Sequence, residues 1–190
     1  MSITSAKSGA TGISLALDNN FMEPIASTLV GSGGVNTVIF NDIPQNYKHL
    51  QIRFLTKSSY TTGTSDSLYG YFNQDSGTTY SYHFLRGNGT AASASGDVST
   101  SFMWLGNQAN SGTGTTNTFG VGVCDILDYS NTSKNKTIRS LQGYDTNGDG
   151  FVVLSSSCWR SVDSVTSLKF VFGNGNISQY SRFSLYGIKG

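Results

Sequence analysis

Charge is what this sequence has least of. Only 12% of its 190 residues are Asp, Glu, Lys or Arg, about half the ~25% typical of soluble chains. The net charge of +1 offers no basic excess to neutralise a phosphate backbone, so no nucleic-acid partner is expected. Cysteine is scarce as well. Cys124 and Cys158, each in a strand-like run, are too few for a disulfide framework, and no C-x-x-C supplies a metal or redox motif. Two buried thiols are the expectation, with a single bridge as the alternative. No apolar run approaches the ~20 residues of a membrane-spanning helix. Residues 1–20 lack the basic start and apolar stretch of a secretory leader. Neither a membrane partner nor a signal peptide is expected.

What the chain does have is glycine, small polar residues and aromatics. With so few charges, its polar surface must come from Ser, Thr, Asn, Gln and the 23 Gly, while 10 Tyr and 11 Phe supply the bulk of a core. Period-2 alternation recurs along residues 21–190. In residues 47–57, Leu50, Ile52 and Phe54 alternate with His49, Gln51 and Arg53, which places the two sets on opposite faces of a strand. Near the end, Leu168, Phe170 and Phe172 precede a Gly-Asn-Gly-Asn loop, and Phe183 and Leu185 follow it. That pattern predicts a closing hairpin whose strands pair with much earlier ones. Residues 25–30 and 35–40 flank Gly31-Ser32-Gly33-Gly34, which predicts a second hairpin. Pro44 ends the strand before it. Residues 90–100 and 106–117 are small and polar and read as loops.

About ten short strands with turn signals every ~8–12 residues, and no amphipathic helix, predict an all-β fold. The expected form is an antiparallel two-sheet β-sandwich, jelly-roll-like, spanning residues 21–190. Residues 1–20 are small and polar, with only Ile13, Leu15 and Leu17 alternating. They read as an extended N-terminal arm for assembly, laid on a neighbouring subunit.

Motifs for chemistry are sparse. Asp145-Thr146-Asn147-Gly148-Asp149-Gly150 matches the first half of a calcium loop, with Asp145, Asn147 and Asp149 as its oxygen donors. The twelfth position is Ser156 rather than Glu, and residues 151–154 are strand-like. The stretch therefore reads as a turn, and no metal is assigned. His49 and His83 are the only histidines and have no companion ligands at metal-site spacing. Asp125 and Asp128 are the nearest thing to a glycosidase carboxylate pair, but nothing sets them across a cleft. Tyr60, Tyr69, Tyr71, Tyr80, Tyr82 and Trp104 are candidates for stacking on sugars, although strand aromatics more often fill a core. Sequons at Asn88, Asn131, Asn135 and Asn176 carry little weight without a secretion signal. No catalytic or cofactor-binding residues are assigned, and an enzyme is not expected.

Several stretches resemble a family of small tailed-bacteriophage virion proteins. F-N-D-I-P-Q-N-Y-K-H-L-Q-I at residues 40–52 is similar to that family's F-x-x-I-P-x-x-Y-x-x-L-x-I. Y-S-Y-H-F-L-R-G-N-G at residues 80–89 is similar to its Y-S-Y-x-x-L-x-G-N-G. N-T-F-G at 117–120, the stretch from Tyr129-Ser130-Asn131 to Lys136, and F-S-L-Y-G-I at 183–188 also fit. The resemblance covers residues 21–190 and implies a non-enzymatic β-sandwich component of a virion. It brings no site residues with it. The low charge and the arm-plus-sandwich layout favour an accessory capsid cement or decoration subunit on the capsid surface. Such a subunit would contact the major capsid protein and form a homo-oligomer, with a trimer expected. The alternative within the particle is a tail-fibre or baseplate module that binds host-surface glycans. A secreted hydrolase or lectin domain is disfavoured by the missing leader and the missing catalytic constellation.

Overall fold

The structure, a computed structural model, describes residues 21–112 and 116–190. The predicted arm at residues 1–20 lies outside the described residues. Twelve strands make up the fold: β1 (Met22–Leu29), β2 (Val38–Phe40), β3 (His49–Thr56), β4 (Ser65–Phe72), β5 (Tyr80–Gly87), β6 (Ala92–Thr100), β7 (Met103–Ala109), β8 (Gly120–Leu127), β9 (Lys136–Asp145), β10 (Gly150–Trp159), β11 (Leu168–Phe172) and β12 (Arg182–Ile188). No helix occurs among the described residues. The strands form an eight-stranded sheet, ordered β1-β12-β3-β8-β9-β10-β5-β6, and a four-stranded sheet, ordered β2-β11-β4-β7. Every strand pairing is antiparallel. The protein is an all-β sandwich of two antiparallel sheets, split eight and four.

Both predicted hairpins turn out to be crossovers. β1 and β2 lie in different sheets, as do β11 and β12; β1 pairs with β12, and β2 pairs with β11. The glycines after β1 therefore do not close a ladder. They carry the chain from one layer to the other, with Gly33 and Gly34 at positive φ. A Cβ on Gly34 would sit 2.7 Å from the Ile177 carbonyl oxygen, so only glycine lets the two crossovers pass this closely. The late, long-range closure expected of the last strand is present: β12 lies between β1 and β3. The described fold's two ends meet here, where the Lys189 N–H donates to the Phe21 carbonyl at 3.1 Å.

The interior has two characters. Under β2, β11 and β4 it is aromatic and aliphatic. Phe170 meets Phe183 at 5.0 Å and Phe40 at 6.3 Å between ring centroids, and Phe72 packs on Trp159 at 5.4 Å. Under β7 it is polar. Ser155 and Ser157 of β10 donate to the Leu105 and Trp104 carbonyls at 3.4 and 3.2 Å. Thr56 donates to Gln108, which donates in turn to Gln142. Buried polar side chains are tolerated when they find partners, and here most do, while Ser140 Oγ and Gln142 Nε2 have none among the described residues.

Two stretches expected to be loops are strands instead. Residues 92–100 form β6, an edge strand paired only with β5. Eight of its nine residues are exposed, because no strand of the second sheet covers it. Without an inner cover there is no reason for apolar residues to alternate. β7 continues through Gly106-Asn107-Gln108-Ala109, all buried, where amides serve the hydrogen-bonded part of the interior.

Candidate functional site

The feature that departs furthest from an ordinary sandwich is the outer face of the eight-stranded sheet. Antiparallel sheets with one buried face usually alternate apolar inward and polar outward. Strands β8, β9 and β10 instead carry apolar side chains on both faces. Cross-strand register sets Leu85, Leu154, Leu141 and Val123 in one outward row across β5, β10, β9 and β8. A parallel row holds Val152, Val121 and Leu55, with Gly143 between Val152 and Val121 and Gly87 at its end. Leu85, Leu141 and Leu154 are 54%, 50% and 46% exposed, and Val152 is 66% exposed. A contiguous exposed apolar patch of this kind marks an interaction surface.

Beside these rows the face becomes concave. A groove of about 610 Å³ has Leu85, Leu127 and Leu154 among its floor residues and His83, Lys134 and Arg139 on its rim. The rim is an ordered polar ladder. Arg139 Nη2 lies 2.8 Å from Asp125 Oδ2, Gln51 Nε2 donates to Asp125 Oδ1 at 2.8 Å, and Arg53 Nε donates to Gln51 Oε1 at 3.0 Å. The Asp125 carboxyl sits below the usual carboxylate range: burial pushes it up, but the hydrogen bonds from Arg139 and Gln51 outweigh that. Asp128, at φ +49°, is gripped by Lys134 at 2.6 Å and Lys48 at 3.1 Å. The hydrogen bonds from Lys134 and Lys48 lower its pKa to about 2.

These contacts decide what the residues singled out in the sequence can do. Asp125 and Asp128 line the same groove, but both are held as carboxylates by cations. A glycosidase needs one carboxyl kept protonated as the acid, and neither is so placed. His49 Nδ1 accepts the Asp128 N–H at 3.0 Å, which uses one ring nitrogen in a strand-end contact. His83 is exposed on the groove rim. Asp145, Asn147 and Asp149 lie in the turn from β9 to β10. There the Asn147 N–H donates to Asp145 Oδ1 at 2.7 Å and the Thr146 hydroxyl donates to the Asp149 carbonyl at 2.7 Å. One of the side-chain oxygens a calcium ion would use, Asp145 Oδ1, is already a turn acceptor. Among the described residues, no group of three or more His, Cys, Asp or Glu is placed to hold a metal. Cys124 and Cys158 are both free thiols. They sit two strands apart on opposite faces of the sheet, and burial pushes the Cys124 thiol pKa up.

The tyrosines separate into different roles. Tyr80 is fully buried and Trp104 is 6% exposed, so neither offers a ring to solvent. Tyr69 stacks on Phe102 at 3.9 Å, Tyr82 lies 5.6 Å from Trp104, and Phe84 lies 4.5 Å from Trp104. This aromatic seam closes the side of the sandwich where the four-stranded sheet ends and β5 and β6 continue. Tyr71 instead holds Lys169 Nζ 4.0 Å from its ring centroid. Tyr60 stands apart, in the loop after β3.

Some of the residues that carry the resemblance, around 43–47, 129 and 187, meet at one corner. The Tyr129 hydroxyl donates to the Pro44 carbonyl, and Gln45 Nε2 donates to the Ile43 and Val165 carbonyls at 2.8 and 3.0 Å. A Cβ on Gly187 would lie 2.4 Å from the Tyr47 ring, so the aromatic covers a glycine on the last strand. At this corner the motifs serve packing. The apolar rows of the outer face did not stand out in the sequence, although Phe151-Val152-Val153-Leu154 does break the in-out alternation.

No known family model matches this chain, and no curated protein matches it. Among solved structures it is similar, at a TM-score of 0.22 and 8% identity, to a crystal structure of a protein of unknown function from Shewanella oneidensis MR-1. That likeness covers 88% of this chain and 75% of the other. A likeness at that level carries no argument.

Proposed function

We propose that the protein is a structural subunit of a bacteriophage virion that works by binding other protein subunits, in the manner of an accessory capsid cement or decoration protein. The observation that carries the assembly part is the outer face of the eight-stranded sheet. Its two apolar rows, bordered by a fixed polar ladder, have the make-up of an interface with an apolar centre and a polar rim. Low charge and the resemblance of residues 21–190 to small virion proteins supply the phage part. The major capsid protein is the proposed partner, and the capsid surface the proposed location.

Mass spectrometry of purified particles tests the reading. The chain should be present as a stoichiometric component, and a Leu141→Glu, Leu154→Glu variant, folded but charged on that face, should be lost from the particles. Absence of the wild-type chain from particles would sink the virion reading. Retention of the variant would sink the assignment of the face.

Host-glycan binding is the second reading, and the aromatic seam beside β6 is the observation in its favour. Tyr82 and Phe102 are half-buried there, with Asp97 near Tyr82 as a polar neighbour. The buried Trp104 and Tyr80 cannot contribute stacking faces to it.

A further inference from the structure

Four strand edges bound the two sheets, and three of them are guarded. β1 carries Pro24 and a register shift between Pro24 and Ala26, both of which disrupt further pairing. β2 is three residues long. β7 is buried along its whole length. β6 is different. It has nine residues, eight of them exposed, with no Lys, Arg or Pro among Ala-Ser-Ala-Ser-Gly-Asp-Val-Ser-Thr. Its outward main-chain N–H and C=O groups have no strand beside them among the described residues. A long, unguarded edge is a template for another strand.

We infer that β6 pairs antiparallel with β6 of a second copy, making a two-fold dimer in which two eight-stranded sheets become one. Three observations select this occupant. First, no other edge of the described fold is open, so pairing between copies can only join β6 to β6. That contact is isologous and closes at two subunits, rather than the trimer expected from sequence. Second, β6 runs in regular register with β5 from Ala92 to Val98, and the ladder breaks between Ser81 and Tyr80, beside Ser99 at φ +57°. The two-fold axis of a seven-residue ladder falls on its middle residue, Ser95. Third, that register suits the one charge on the strand. Asp97 faces Ser93 of the second copy, a hydroxyl donor, and never faces Asp97. Ala92, Ala94 and Gly96 offer no bulk against close approach. A single strand pair covers much less than the ~1,200 Å² of a standard interface, so the dimer is weak and depends on concentration. The inference stands independently of the virion reading, since it concerns a different surface from the apolar face.

Sedimentation velocity over a concentration series, with hydrogen exchange of the β6 amides, tests it. The wild-type protein should pass from monomer to dimer, and outward β6 amides should gain protection as it does. Ser95→Lys, which sets two lysines together on the axis, should weaken the dimer at least tenfold. Ser93→Asp should do the same by facing Asp97, and it has Arg86, whose Nε donates to Ser93 at 3.1 Å, to support it within its own chain. Combining Ser93→Asp with Asp97→Ser moves the charge and should restore the wild-type dimer. A protein that is monomeric at all concentrations overturns the inference. So does a trimer, an oligomer indifferent to Ser95→Lys but broken by Leu141→Glu, or β6 amides already protected in the dilute monomer.

Discussion

At the scale of the residue, the fold shows its habits most clearly around Asp128. One carboxylate in left-handed backbone geometry collects Lys48, Lys134 and the rim of the groove. Its pKa is lowered to about 2, against about 3.9 in an unfolded chain. A group whose folded pKa is depressed stabilises the protein above its unfolded pKa. That stabilisation disappears as pH falls through the folded value. The difference in thermal midpoint between wild type and Asp128→Asn should therefore be full at pH 6 and should close between about pH 4 and pH 2. Asparagine tolerates the positive φ, so the comparison isolates the charge. Because both lysines are more than half exposed, the effect is small and should shrink further in high salt. A gap that stays constant down to pH 2 would show that the lysines do not set the carboxyl's affinity for protons.

At the scale of the element, Asp66 does for β4 what the Tyr47–Gly187 contact does for β12. It is 2% exposed and accepts from the Ser58 hydroxyl at 2.6 Å, the Gly175 N–H at 2.9 Å and Asn174 Nδ2 at 3.0 Å. One side chain thus ties β4 to the loop after β3 and to the crossover between β11 and β12. Asp66→Ala leaves the buried Ser58 hydroxyl and the half-buried Gly175 N–H unanswered, and should cost about 3 kcal/mol in urea unfolding. A loss below about 1 kcal/mol would mean that water replaces the carboxylate.

The strands that were legible in the sequence are those with an apolar inner face and a more polar outer one, such as β3, β11 and β12. β6 was illegible because nothing covers it, and the second half of β7 because its cover is made of amides. Which strands pair was also hidden. The Gly-rich stretch after β1 and the Gly-Asn-Gly-Asn stretch after β11 carry ordinary hairpin chemistry. Only the mutual pairing of β1 with β12 and β2 with β11 shows that they change layers. Of the site, single residues such as His83 and Asp125 could be named beforehand. The outer apolar rows could not, because they exist only through the register of five strands.

At the scale of the whole molecule, the two faces of the eight-stranded sheet obey different rules. The inner face holds the core, and folding depends on it. The outer rows make no contribution to that core. Leu141→Glu with Leu154→Glu should leave the urea midpoint within experimental scatter of wild type and raise solubility, since exposed apolar area promotes association. A strongly destabilised variant would show that the rows belong to the fold after all.

The meeting of Phe21 with Lys189 has a topological consequence. The described chain is nearly a closed ring, with its gap at one edge of the sheet and β6 at the other, about 34 Å away for seven strand spacings of ~4.8 Å. A circular permutant joined across that gap and reopened at the exposed Gly173-Asn174 stretch between β11 and β12, which do not pair with each other, keeps all ten strand pairings. It also makes β1 and β12 neighbours in sequence as well as in space. Loop closure that was distant becomes local, so the permutant should refold faster than the parent chain while reaching the same circular dichroism spectrum. Equal or slower refolding would place the slow step elsewhere in the sandwich.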